Sequence, residues 1–212
     1  MAGKNQGIDA SEPWRDFAKA PNSSQSHTIN RILKRALDIV VAASLLFLLA
    51  PLFLLVAIIV TLSDGGPVFN RHLRVGFKGR EFGCLEFRTA RADATPNPHI
   101  TIVGDILRRS SLDKLPQLIN VLLGRMSLVG PCAVTGEELL RYGEHAYAYI
   151  SVRPGLTGHW QTGGCGEPSY QNRLSLDIEY LSNWTLAWDF VILGKTLSAL
   201  ISRHALLPRL DS

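Results

Sequence analysis

IVVAASLLFLLAPLFLLVAIIVTL, residues 39–62, is a run of 24 residues with no charge and with Pro51 near its centre. At about 1.5 Å per residue such a helix is long enough for a bilayer core of about 30 Å. Arg31, Lys34 and Arg35 precede it, and Arg71, Arg74, Lys78 and Arg80 follow it. A straight span collects Lys and Arg mainly on the cytoplasmic side, yet neither flank here is poor in them. A helix that enters the membrane, bends at Pro51 and returns to the same face resolves this. Proline has no N–H to donate and its ring clashes one turn back, so a kink at Pro51 is chemically expected. A single tilted span that tolerates its proline stays open, as does a buried core helix.

The chain of 212 residues has room for such a segment plus one domain of about 150 residues. Its formal charge of +4 suits anionic partners such as lipid headgroups or phosphorylated substrates. Nucleic acid is not expected as a partner, because there is no zinc-finger spacing and no RNA-binding aromatic motif. Cys84, Cys132 and Cys165 are odd in number and widely spaced. They fit a reducing compartment better than a disulfide framework or a structural zinc site. The apolar run starts too late and is too long for a signal peptide, so it is expected to remain in the mature protein.

Residues 1–30 are polar, with Pro13 and Pro21, and read as a mobile tail; 31–63 hold the apolar segment with its central proline and 64–212 a further domain. Within that domain Val68–Val75 and Glu81–Arg88 flank a glycine-containing loop, the pattern of a β-hairpin. A Pro/Asn/Asp loop is expected over 91–99. Ile106 to Leu123 reads as helix, broken around Ser110 and Ser111, with Leu115, Leu118, Ile119, Leu122 and Leu123 on one face. The glycine-rich stretch 153–168 reads as a loop. Two further helices are expected over 170–181 and 186–202. Trp184 and Trp188 open the last one, which suits a helix lying on a lipid surface and equally suits core packing. The fold class is mainly α with a small β-hairpin.

The densest set of chemical side chains is IVGDILRRSSLDKLPQLINVLLGRMSLVGP, residues 102–131. Asp113 precedes an amphipathic helix with Pro116 in its first turn, which makes it a natural N-cap. A carboxylate there, with Arg108 and Arg109 close in sequence, also suits a phosphate site, since paired arginines bind phosphate oxygens bidentately.

The order KRALDIV, the proline-centred apolar run, GGPVFNRHLRVG, FRT, the stretch 102–131, VRPGLTGHWQ and LDIEYLSNWTLAWDFVIL resembles the bacterial sugar transferases. These are monotopic polyprenyl-phosphate phosphoglycosyl transferases that initiate exopolysaccharide assembly. The resemblance spans roughly residues 31–203. It implies a re-entrant helix broken at Pro51, interfacial amphipathic helices and a domain on the cytoplasmic face of the bacterial inner membrane. It also implies transfer of a sugar-1-phosphate from a UDP-sugar to undecaprenyl phosphate, with possible contacts to other polysaccharide-assembly proteins. Asp113 would be the nucleophile and Arg108 a phosphate anchor. Arg88, Arg153 and Gln161 would be substrate-binding candidates, and Mg²⁺ the cofactor, with its ligands unassigned.

Three positions depart from that pattern. Lys114 stands where a glutamate is expected to help hold Mg²⁺, and an ammonium cannot ligate a metal. Cys132, followed by Ala133, stands where an arginine and a proline are expected, and Cys165 replaces another arginine. They raise an alternative: a catalytically impaired relative that regulates or scaffolds polysaccharide assembly at the membrane.

Overall fold

The computed structural model describes residues 26–64, 66–91, 99–162 and 170–205. Most of residues 1–30, the 92–98 part of the expected loop, and Cys165 lie outside them. The first helix, α1, runs Ser26–Leu48 and therefore starts inside the expected tail; α2 follows over Ala50–Asp64. The two are bent by 64° at a short break, and among the described residues no single helix is long and apolar enough to cross a membrane. The bend follows from Pro51. The Leu49 amide still bonds the Leu45 carbonyl (2.9 Å) and the Phe53 amide bonds that of Leu49 (2.8 Å). The Phe47 carbonyl, four residues before Pro51, is the one that can receive no N–H from it. Phe47 (87% exposed), Leu48 and Leu54 cover the outside of the bend.

Both ends of this bent pair are fixed to the same folded unit. Near the start, the buried Asp38 accepts from Ser127 Oγ (2.7 Å) and the Leu128 amide (3.1 Å). Lys34 Nζ donates to the Val129 carbonyl (2.9 Å) and Asp189 Oδ2 (2.6 Å), and Arg35 donates to the Leu122 carbonyl (3.2 Å). Near the finish, Val56 and Val60 are buried with Phe87 and Leu107, and Arg88 donates to the Val60 carbonyl (3.3 Å). Two of the basic residues that read as a membrane flank, Lys34 and Arg35, are thus part of a polar clamp. Removing a buried charged acceptor strands its donors, so Asp38→Ala should cost about 3 kcal/mol, measured as a loss of denaturant midpoint. A change below about 0.5 kcal/mol would remove Asp38 from the clamp.

The expected hairpin is β1, Phe69–Val75, antiparallel to β2, Glu81–Phe87, joined by a tight turn over Phe77–Gly79. Helix α3, Ile102–Ser110, starts four residues earlier than expected because Thr101 caps it, its hydroxyl accepting from the Gly104 amide (2.9 Å). The break at Ser110–Ser111 is present: Ser111 takes a left-handed conformation (φ 57°) and leads into a 3-10 turn over Leu112–Lys114. Helix α4 then covers Gln117–Leu122.

A second pair of strands was hidden in the glycines. β3, Ser127–Val129, runs parallel to β4, Gly155–Thr157. A Cβ on Gly155 would lie 2.2 Å from the Gly130 nitrogen, so only glycine permits the approach. The stretch 153–168 is therefore not all loop: it holds β4 and the short α7, His159–Thr162, while 163–168 lie outside the described residues. Between β3 and β4 come α5, Gly136–Leu140, and α6, Ala146–Ile150; α8, Tyr170–Ser182, and α9, Leu186–Ala205, complete the chain. Trp184 and Trp188 pack against the core cluster of Leu118, Met126, Leu128 and Ile192. Trp184 also donates to Asp189 (3.3 Å).

Candidate active site

Asp113 sits in the 3-10 turn between α3 and α4, and it does not cap α4. The N-cap position there is Pro116, which makes no side-chain cap bond. Pro116 has no N–H of its own to leave unpaired, so the helix starts without the aspartate's help. Asp113 is instead 8% exposed, and its Oδ1 is buried with no hydrogen-bond partner. Burial pushes its carboxyl above the usual range. Lys114 and Arg108 pull it back down, while the Glu86 carboxylate pushes it further up.

Arg108 stands at the end of α3 with Nε donating to Thr89 Oγ1 (2.8 Å). The residue is exposed, and its terminal nitrogens make no hydrogen bond among the described residues. Arg109, by contrast, is engaged with Asp105 one turn back (2.8 Å) as an exposed pair. Sequence alone missed Glu86, which reads as an ordinary hairpin charge. On β2 it accepts from Gln117 Nε2 (3.0 Å), and its other oxygen lies 3.6 Å from His72 Nε2. Gln117 and Asn120 of α4 join this helix to β2. The Asn120 side chain accepts from the Leu85 amide (3.0 Å) and donates to the Gly83 carbonyl (2.8 Å), completing the free edge of the strand. Lys114 Nζ lies 5.9 Å from the centre of the Trp160 ring of α7.

The remaining candidates divide. Gln161, next to Trp160, accepts from Thr157 Oγ1 (2.7 Å), so α7 is anchored to β4 and its amide nitrogen is left for other partners. Arg88 is buried against the end of α2 and acts on the bent helix. Arg153 is not brought to Asp113. Its Nε donates to the Gly124 carbonyl (2.8 Å) and its guanidinium lies over the Phe77 ring (4.9 Å), so it braces the β3–β4 region.

Cys132 lies in a second polar cluster. Its amide donates to Asp177 Oδ2 (3.0 Å), which also accepts from the Tyr142 hydroxyl (2.9 Å), and Asp177 Oδ1 is buried without a partner. Arg173 and Arg74 nearby are both held by Glu138 (3.1 and 3.2 Å). The Cys132 thiol faces the Ala133 carbonyl (3.9 Å) and leaves Asp177 Oδ1 bare. Burial pushes Asp177 up to about 6. The native state therefore keeps this proton at pH values where the unfolded chain has lost it. The contribution is full below about 4 and is lost as pH rises through 6, by about 3 kcal/mol in total. Asp177→Asn should flatten that dependence, so its stability relative to the parent should grow between pH 4 and 7. A constant difference across that range would contradict it.

Among the described residues no group of three His, Cys, Asp or Glu side chains converges as a closed metal cage. The bare Oδ1 of Asp113 fits an ion shared with substrate phosphates, the mode Mg²⁺ commonly takes.

The chain is similar to several known proteins. The exopolysaccharide production protein ExoY of Rhizobium meliloti is 40% identical over 195 residues, covering 81% of this chain and 86% of the relative. The undecaprenyl-phosphate galactose phosphotransferase of Salmonella typhimurium is 39% identical over 82% of this chain and 41% of its own length. The UDP-glucose:undecaprenyl-phosphate glucose-1-phosphate transferase of Escherichia coli is 40% identical over 80% of this chain and 40% of its own. These names give the regulator alternative no support. The bacterial sugar transferase family matches residues 29–203, from the clamp in α1 through Asp113 to α9, and the chain belongs to that family.

Proposed function

We propose that this protein transfers a sugar-1-phosphate from a UDP-sugar to undecaprenyl phosphate at the cytoplasmic face of the bacterial inner membrane, initiating exopolysaccharide synthesis. The observation that carries the reading is Asp113, a buried carboxylate with a bare oxygen beside an arginine whose terminal nitrogens are free. An Asp113 oxygen attacks the β-phosphorus, and the bond from that phosphorus to the bridging oxygen breaks. UMP leaves with the bridging oxygen, and the sugar phosphate is held on Asp113. A phosphate oxygen of the lipid then attacks the same phosphorus and displaces the aspartate, giving a pyrophosphate-linked lipid sugar. Arg108 holds phosphate oxygens in line, where positioning and charge do most of the work. Mg²⁺, when bound, neutralises charge on the pyrophosphate. Lys114 adds a fixed positive charge, and Gln161 projects from the helix that carries Trp160.

Membrane attachment rests on the bent pair α1–α2. Its two ends are tied to one folded unit and its bend is covered by exposed Phe47, Leu48 and Leu54. A re-entrant insertion buries that apolar surface in lipid while keeping both ends on one side. Exposed Phe190, Val191 and Leu197 on α9 would rest at the same interface. The test is incubation with UDP-sugars labelled in the β-phosphate, without lipid acceptor. Label should appear on the protein, map to Asp113, and move to lipid when undecaprenyl phosphate is added. Label on another side chain would overturn the assignment.

A further inference from the structure

We infer that Glu86 of β2 supplies the carboxylate that position 114 lacks, and that with Asp113 it holds the divalent cation carrying the donor's pyrophosphate. The inference rests on the reading of Asp113 as the nucleophile. Lys114 cannot do this job: its ammonium has no lone pair, and it lies by the Trp160 ring. Glu86 comes from a different element, yet it is built into the same place. Gln117, 5% exposed and one turn beyond Asp113, donates to one Glu86 oxygen (3.0 Å). Asn120, fully buried one turn-face further on α4, fixes the β2 backbone on both sides of Leu85. The side chain of Glu86 is 27% exposed, and its second oxygen has only the 3.6 Å approach of His72 Nε2.

The turn that carries Asp113 packs on β2, the strand of Glu86, so this arrangement sets a second carboxylate near one that is buried with an unpartnered oxygen. Folding alone gives no reason to keep it. A divalent cation does, since Mg²⁺ takes one or two carboxylates and fills its other positions with water and substrate phosphates. Relative to a glutamate at 114, the carboxylate then stands on the strand, and the turn position is cationic. The site takes a Mg²⁺–nucleoside diphosphate, with the ion bound through β2 rather than through the residue after the nucleophile.

The test uses the full chain in lipid nanodiscs, with Mn²⁺ as the probe and UDP present, reading free Mn²⁺ by its paramagnetic resonance signal. The parent protein should retain Mn²⁺. Glu86→Gln should weaken retention at least about tenfold, the scale expected when even an outer partner of a metal ligand is lost. Glu86→Lys alone should also lose the ion, whereas the exchange Glu86→Lys with Lys114→Glu should recover it. Recovery in the exchange variant guards against a loss that merely reflects misfolding. Glu86→Gln with parental Mn²⁺ retention would overturn the inference, and so would an exchange variant that folds but stays metal-free. Because the readout is metal retention, Glu86-dependent Mn²⁺ binding in a preparation that forms no phosphosugar adduct would support the ion site and count against the transfer reading alone.

Discussion

Asp113→Asn should abolish transfer and at the same time make the protein more stable. The amide cannot attack phosphorus, so the loss should be at least about 10³-fold in turnover, with no covalent phosphosugar remaining. The stability gain follows from the surroundings. Asp113 is buried, one oxygen has no partner, and Glu86 adds a like charge. Lys114 and Arg108 offset this only in part, because the net effect still raises the carboxyl above its ordinary range. Relieving a buried, poorly satisfied charge should yield about 1 kcal/mol, or about 2–4 °C in melting temperature for a chain of this size. The pH behaviour has opposite signs for the two properties. Activity needs the carboxylate and should rise as pH climbs through the raised value. Stability from this group is present below the ordinary aspartate range and is lost over that same climb. A variant that is inactive and clearly less stable would make Asp113 a structural residue. One that is active would remove the nucleophile.

Much of this architecture is legible from local pattern. The proline-centred run, the hairpin around Gly76–Gly79 and the break at Ser110–Ser111 each depend on residues within a few positions of one another. Proline removes a donor, glycine permits the turn, and two serines interrupt an apolar period. The β3–β4 pair escaped notice because three-residue strands carry almost no periodicity, and their glycines signal loop and close approach alike. Lys34, Arg35 and Asp38 were legible as charges at the edge of an apolar helix, but their partners lie about 90 to 155 positions away in sequence.

The site divides the same way. Asp113 and Arg108 stand out because they are close in sequence and lie in a segment that resembles known transferases. Arg153 is a candidate through the family resemblance alone, and no local signal in the sequence places its guanidinium over Phe77. Glu86 had no signal at all. In a strand of alternating polar residues a glutamate is ordinary, and only the packing of α4 against β2 gives it a neighbourhood. The cation–ring approach of Lys114 to Trp160 joins residues 46 positions apart by the same kind of packing.

Gly104→Ala should be among the most damaging single substitutions in the chain, against the usual trend. Inside a helix, alanine is normally better than glycine by up to about 1 kcal/mol. Here a Cβ would fall 1.8 Å from the Thr89 carbonyl oxygen and 2.7 Å from its Cα. Those atoms are backbone, so no rotamer change relieves the overlap; α3 must move off the end of β2. That oxygen already accepts from the Thr101 amide (3.1 Å), the residue that caps α3, so the cap is strained by the same shift. Leu107, buried with Phe87, Val56 and Val60, would lose packing, and the Arg108–Thr89 contact at 2.8 Å would open. Overpacking typically costs 1–3 kcal/mol, and an immovable backbone partner puts this case at about 3 kcal/mol or more. Transfer should fall together with stability, because Arg108 is displaced from the nucleophile. Thr89→Ala in the same chain should not rescue it, since the obstructing atoms remain. If that truncation restores the parental melting temperature, or if Gly104→Ala alone is stabilising as helix propensity would have it, α3 does not rest on Thr89 as described and the placement of Arg108 goes with it.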